Sequence, residues 1–469
     1  MPKSTPARWL LLAGMMLAAC GTTVEDHIDR LQEGGEGTED AKMALSLARQ
    51  DAIAPLISAF ADLDRGPVAR SHMADALGRL YLREKDPAIL MALHQALEDA
   101  SPHVRASVVR VLGDMSGRKG VAPLVTRLGK ETDDAVRRGI LVTIGLMSLR
   151  EAPQTGIIGL GRPWSLEIMD DSLRAPFINT LRQLRDDVGD STRTAVMEWL
   201  EVAAEDKVTE ALQRELTADM VGARQLLEEG RDLVPDSRNI NRHLGRFEFD
   251  NENKEKGLAT MAAVGAAIHV PRMPVAPTID GHLDEDLWQQ VTRVDSFYQN
   301  ISRMRAYLIE GRTAIYLGYR GTTLYIGVKG WEPQTDNLQV SATARDENAW
   351  QDDCIELFFD PDRDRRTYWQ FVINSGNTQF DQYADGSSRQ GNIGWNGDFT
   401  SATHVADDYW SAEVAIPMEQ FGEGQLGSGA VWAGNLARIR IANASEYGQW
   451  VPTYGSALRP DRFGYMVFD

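Results

Sequence analysis

The sequence predicts an all-α helical-repeat solenoid followed by an all-β antiparallel sandwich, with a proline-bearing joint between them. Three observations carry this. Eight of the eleven tryptophans and eleven of the twelve tyrosines lie after residue 285, so aromatic, sheet-like composition is confined to the second part. The first part is rich in Ala, Leu, Arg and Asp, and a helix-pair pattern repeats along it. Beyond Val270-Pro-Arg-Met-Pro-Val-Ala-Pro277 the apolar residues recur with a period of two. At 469 residues the chain is too long for one core, and 43% hydrophobic with 25% charged residues argues against wholesale disorder. A net charge of −19 disfavours a nucleic-acid partner, because neutralising phosphates takes basic patches.

The N-terminus reads as an address. Lys3 and Arg8 precede the apolar run Trp9–Ala19, which is too short to persist as a spanning helix. Leu17-Ala18-Ala19-Cys20 resembles the bacterial lipobox. That resemblance implies a signal peptide over 1–19 and a diacylated Cys20 that anchors the mature protein to a membrane. A general secretory signal with an incidental cysteine is the alternative. Gly21 after the cysteine resembles the outer-membrane-directed form, so the expected location is the bacterial envelope, on the periplasmic or surface face. Residues 20–39, including most of Glu33-Gly-Gly-Glu-Gly-Thr-Glu-Asp40, read as a flexible tether.

Three segments then align. Ile53-Ala-Pro-Leu56 leads through Arg70 to Gly78, Ile89-Leu90 through Arg105 to Gly113, and Val121-Ala-Pro-Leu124 through Arg137 to Gly145. The arginines are 35 and 32 residues apart, and the glycines repeat both spacings. This pattern, within a region bounded at 40–160, resembles HEAT repeats, whose paired helices stack into a solenoid. The resemblance implies either a docking surface for a partner protein or a spacer. Gly156-Ile-Ile-Gly-Leu-Gly161 lacks a following Lys-Ser/Thr and reads as a linker rather than a phosphate loop. Residues 161–266 continue as helices with apolar stripes over 173–184, 191–204 and 207–216, and faintly resemble a tetratricopeptide unit around 223–245. A linker over 267–276 closes this half.

From 277 to 469, strands are expected at 313–319, 324–330, 354–359, 368–374, 409–416 and 437–442, the short spacing of a sandwich. The stretch Trp350-Gln-Asp-Asp-Cys354-Ile-Glu356-Leu-Phe-Phe-Asp360-Pro361 carries the chemistry. It is an apolar strand stopped by Asp-Pro, with an acid inside and a tryptophan just before it. An aromatic face and a carboxylate suit a polyol, since the ring stacks on it and the carboxylate accepts hydroxyl hydrogen bonds.

With Pro277-Thr-Ile-Asp280-Gly281, Asp284-Glu285-Asp-Leu-Trp288, Leu324–Val328, Trp410–Pro417 and Pro460–Phe468, this stretch resembles the family 9 carbohydrate-binding modules. That resemblance implies a non-catalytic glycan clamp. Trp350 and Trp450 match its two walls and Glu356 its acid, with Arg438, Asn374, Gln370 and Arg440 as polar helpers. Tyr447-Gly448-Gln449 stands where a further polar contact is expected. Trp288, Trp410 and Trp432 are expected in the core, and Cys354 is expected as a small buried apolar residue.

Family members often bind Ca²⁺, for which Asp280, Asp284, Asp286, Asp360, Asp362 and Asp364 are candidates; turns and caps use such residues equally well. No other cofactor is implied. The eight histidines are scattered, and neither a nucleophile elbow nor a phosphate loop is present, so no enzyme activity is expected. Two functions follow: an envelope lipoprotein that binds carbohydrate through its sandwich, or an envelope scaffold whose sandwich no longer binds sugar. Delivery of a partner hydrolase to polysaccharide is a third.

Overall fold

The computed structural model describes residues 22–33, 35–115, 117–151, 164–300, 306–386, 391–422, 427–442 and 445–469. The signal peptide, Cys20 and the glycine motif at 156–161 lie outside them. Two compact units divide the chain, one comprising 1–154 and 164–202, the other 155–163 and 203–469. Among the described residues no helix is long and apolar enough to cross a membrane.

In the first unit the repeat reading holds. Helices Gln50–Ala61 and Pro67–Glu84, Pro87–Gln95 and Pro102–Met115, and Val121–Leu128 and Asp134–Glu151 form successive pairs. Proline at the first helical position suits Pro67, Pro87 and Pro102, since the N–H it lacks has no partner there. The repeated glycines mark close helix crossings. A Cβ on Gly78 would stand 2.6 Å from Val111 Cγ1, and one on Gly113 2.6 Å from Thr143 Cγ2, closer than packed carbons allow.

The repeated arginines tie neighbouring units together. Arg70 pairs with Asp99, and Arg105 grips Glu131 with two bonds of 2.7 and 2.8 Å. Burial raises the Glu131 carboxyl, but hydrogen bonds from Arg105, the Asp133 backbone N–H and Arg127 outweigh it and pull the pKa down to about 2. One expectation fails at the start of this unit. Val24–Glu33, within the expected tether, is helical, because Ile28 and Leu31 recur at helical spacing and bury their side chains.

The second unit carries two sheets. The larger runs β4-β3-β13-β12-β7-β8-β9, where β3 is Tyr298–Asn300, β4 Ala306–Leu308, β7 Cys354–Asp360, β8 Tyr368–Asn374, β9 Gln379–Ala384, β12 Val431–Arg440 and β13 Glu446–Gln449. The smaller runs β10-β11-β6-β5-β2, with β2 Thr292–Val294, β5 Thr313–Arg320, β6 Thr323–Trp331, β10 Thr400–Val405 and β11 Tyr409–Pro417. Ile355, Leu357 and Phe359 on β7 join Ile326 and Val328 on β6 and Trp410 and Val414 on β11 in one buried core. Trp288 and Trp432 are buried too, as is the free Cys354, whose thiol burial pushes well up.

The linker expected at 267–276 is part of this fold. Ala267–Val270 (β1) pairs in parallel with Gly464–Phe468 (β14), which in turn pairs with β12. Phe249, Met261 and Ala266 belong to the same core as the sheets, so the helices after residue 203 are continuous with the sandwich interior.

Candidate functional site

Alternation along a strand decides which side chains share a face. On β7 the alternate set to Ile355, Leu357 and Phe359 is Cys354, Glu356 and Phe358, of which Cys354 and Phe358 are fully buried and Glu356 reaches the surface of that face. Register carries their face outward across the sheet. Gln370 lies opposite Phe358, Gln382 opposite Gln370, Phe380 opposite Val372, Ile439 opposite Cys354, and Tyr447 opposite Ile439. Glu356, Gln370, Gln382, Phe380, Ile439 and Tyr447 floor a cleft of about 830 Å³, and Trp350, on the short turn before β7, forms a wall. Its half-buried ring stands edge-on to Phe380, centroids 4.5 Å apart.

The floor is a polar row. Tyr447 Oη donates to Glu356 Oε2 at 2.5 Å, Gln370 Nε2 donates to Glu356 Oε1 at 3.3 Å, and Gln382 Nε2 donates to Gln370 Oε1. Burial raises the Glu356 carboxyl to about 7, against the Tyr447 hydrogen bond that lowers it. Asn300 adds a buried Oδ1 with no hydrogen-bond partner among the described residues. Aromatic and aliphatic walls over amides, a phenol and one carboxyl can hold a neutral, hydroxyl-rich ligand by stacking and hydrogen bonds.

Of the residues expected at the site, Trp350, Glu356 and Gln370 meet here. Trp450 does not. It is 3% exposed, and its Nε1 donates to Gly265 O at 2.8 Å. Three residues beyond Tyr447 is an odd step in a period-two strand, so the alternation that turns Tyr447 to the cleft turns Trp450 away.

Arg438 falls on the core-facing side and is fully buried. Its guanidinium donates to Arg312 O at 2.9 Å, Thr313 Oγ1 at 3.2 Å and Trp331 O at 3.1 Å, and burial lowers it to about 10. Arg440 pairs with Glu332 and Glu446. Asn374 bonds Ala342 O and Asp352 Oδ2 and accepts from Gly376 and Thr378, which uses it fully as a loop clamp. Sequence reasoning left Gln382, Phe380 and Asn300 unassigned. For the first two, the alternating run Gln379-Phe-Asp-Gln-Tyr383 carried the signal.

The acidic residues separate likewise. Asp280 is exposed and closes a turn on His282 N, and Asp284 is exposed. Asp360, Asp362 and Asp364 bring carboxylate oxygens within 4.8 Å of one another. Asp360 is buried and raised to about 8, by desolvation first and its Asp362 contact second, and its Oδ1 has no hydrogen-bond partner among the described residues. Three carboxylates, one of them with an orphaned buried oxygen, match the donor set of a hard cation such as Ca²⁺.

Comparison with known proteins agrees with both folds. Residues 279–438 match the family model described as carbohydrate family 9 binding domain-like. The C-terminal domain is of that kind. Residues 43–145 match HEAT repeats. Among solved structures, the family 9 carbohydrate-binding module of Caldicellulosiruptor kristjanssonii in complex with glucose is 18% identical, covering 43% of this chain and 95% of its own (TM-score 0.33). Its cellotriose complex is also 18% identical, covering 43% and 93% (TM-score 0.33). A designed armadillo repeat protein is 16% identical, covering 52% and 95% (TM-score 0.29). No curated protein matches the chain.

Proposed function

We propose that this chain is an envelope lipoprotein whose C-terminal domain binds carbohydrate without catalysis, in the cleft between Trp350 and the Glu356–Gln370–Gln382 row. The observation that carries this is the cleft itself, an aromatic wall over a hydrogen-bonding floor on the outer face of the larger sheet. Trp350 stacks on a sugar face, while Glu356 and the amides take its hydroxyls. Among the described lining residues Glu356 is the one carboxyl, whereas glycoside hydrolysis needs a facing pair. The helical repeats serve as stalk or docking surface, and Cys20 as the lipid anchor.

The withdrawal of Trp450 favours one second reading, a scaffold whose sandwich no longer binds sugar. Calorimetric titration of the full chain with glucose, cello-oligosaccharides and a wider neutral panel separates the two. Saturable binding lost in Trp350→Ala and Glu356→Gln supports the first; silence from a folded chain across the panel supports the scaffold. For the anchor, labelled palmitate should enter the wild-type chain and not Cys20→Ser. Equal labelling of both would remove the lipoprotein reading.

A further inference from the structure

A second cleft, of about 340 Å³, opens on the outer face of the smaller sheet, near the lower end of small-molecule site volumes. Register builds it. Lys329 on β6 lies opposite Ser411 on β11, and Trp331 opposite Tyr409, while the pair between them, Gly330 and Trp410, is buried. Lys329 Nζ sits 3.6 Å from the Tyr409 ring centroid and 5.2 Å from that of Trp331. The Arg312 guanidinium stands 4.3 Å from the Trp331 centroid. Among the described residues neither cation is paired with a carboxylate.

That difference matters chemically. A carboxylate neighbour would consume the charge and the N–H donors of a lysine or arginine; an aromatic face holds the cation in place and leaves both for an incoming anion. Arg293 adds a third positive group, held by Asp295 at 3.3 Å, against one lining acid, Asp284. A cationic cleft in a chain of net charge −19 also concentrates anions locally against the overall field.

The cleft is fixed from behind. Arg312 O accepts from Trp331 N at 3.0 Å and from the buried Arg438 at 2.9 Å, and Arg438 also holds Trp331 O. Arg312 and Trp331 therefore spring from backbone pinned by one core guanidinium.

We propose that this cleft is a second ligand site that recognises the acid group, carboxylate or sulfate, of an anionic sugar. Arg312 and Lys329 bind the acid. The hydroxyl of Tyr409 and the amide of Gln289 stand beside them for the sugar's own hydroxyls. The site is independent of Trp350 and Glu356, which lie on the other sheet.

Calorimetric titration of the full chain at low salt tests this with an oligogalacturonate, a chondroitin sulfate oligosaccharide and neutral cellohexaose. Either acidic oligosaccharide should bind saturably and weaken as salt rises. Arg312→Ala and Lys329→Ala, each verified as folded by circular dichroism, should weaken it by roughly tenfold or more. Glu356→Gln should leave it unchanged. The uronate and sulfate arms then tell which acid is preferred. The proposal is overturned if neither acidic ligand binds, if both cation variants bind like the parent chain, or if cellohexaose competes equally for the same site.

Discussion

Tyr447 donates its phenolic hydrogen to Glu356 Oε2 across 2.5 Å, from a strand two places away in the larger sheet. With Gln370 on the other oxygen, both lobes of the carboxyl are held, so its orientation is set before any ligand arrives. Preorganisation of this kind reduces the ordering cost of binding. It also explains why a carboxyl can sit 5% exposed inside an apolar strand.

The same burial has a consequence for stability. A carboxyl whose folded value lies above its unfolded one binds its proton more tightly when folded. Its contribution is therefore complete below the ordinary value of 4.5 and is lost as pH rises through about 7. Glu413, raised to about 7 chiefly by burial although Asp280 N, Gly281 N and Trp288 Nε1 donate to it, acts in the same direction. The second unit should melt at lower temperature at about pH 8 than at about pH 5.5, each carboxyl contributing at most on the order of 3 kcal/mol. Glu356→Gln should flatten that slope in thermal melts followed by circular dichroism; a slope of opposite sign would refute the account.

The two tryptophans at the ends of the sheet motif should separate cleanly. Trp350→Ala is expected to abolish neutral-sugar binding while costing little stability, because its ring is half-buried at the cleft edge. Trp450→Ala removes a core ring and the bond to Gly265, and should destabilise by about 3–5 kcal/mol. Urea melts and titrations of both variants read the two effects independently. A Trp450 variant of unchanged stability that loses sugar affinity would reinstate Trp450 as a wall.

Much of this was legible in the sequence. Helical period, repeated Arg and Gly spacings, and the switch to period two were enough for both folds, because burial on one face imposes those periods directly. Trp350 and Glu356 were legible as a pair because they flank and enter one strand. Asn374 shares the face of Gln370 but is spent clamping the loop at Ala342 and Asp352, whereas Trp450 and Arg438 were misplaced for another reason. Neighbourhood along the chain does not say which face a side chain takes, and a shift of one residue exchanges core for cleft. The cation cradle on β6 was invisible, since Lys329 on β6, Tyr409 on β11 and Arg312 just before β5 are far apart in the chain and meet only through the pairing of those strands.

The Asp360 cluster should respond to calcium. Millimolar Ca²⁺ is expected to raise the melting temperature of the full chain by several degrees, through mass action on the folded state. Asp362→Asn and Asp364→Asn should each weaken that response, and Mg²⁺, which demands tighter octahedral geometry, should reproduce it poorly. Identical melts with Ca²⁺ and with a chelator would dismiss the cluster as a metal site and leave it a turn.

The boundary of the sugar-binding unit can be tested by truncation. Met261 and Ala266 lie in the sandwich core, β1 supplies a strand that pairs with β14, and Gly265 O receives Trp450 Nε1. A fragment starting at residue 277 loses all three. It leaves one edge of β14 unpaired and apolar core open to water, the conditions that favour aggregation. A fragment starting at Ala203 keeps them, together with the Glu205–Arg462 pair at 2.6 Å. The shorter fragment should therefore be insoluble or melt well below the longer one, which should unfold in a single cooperative transition. If the 277 fragment instead melts at the same temperature as the 203 fragment, the helices after residue 203 contribute nothing to the sandwich and the shared core has no energetic weight.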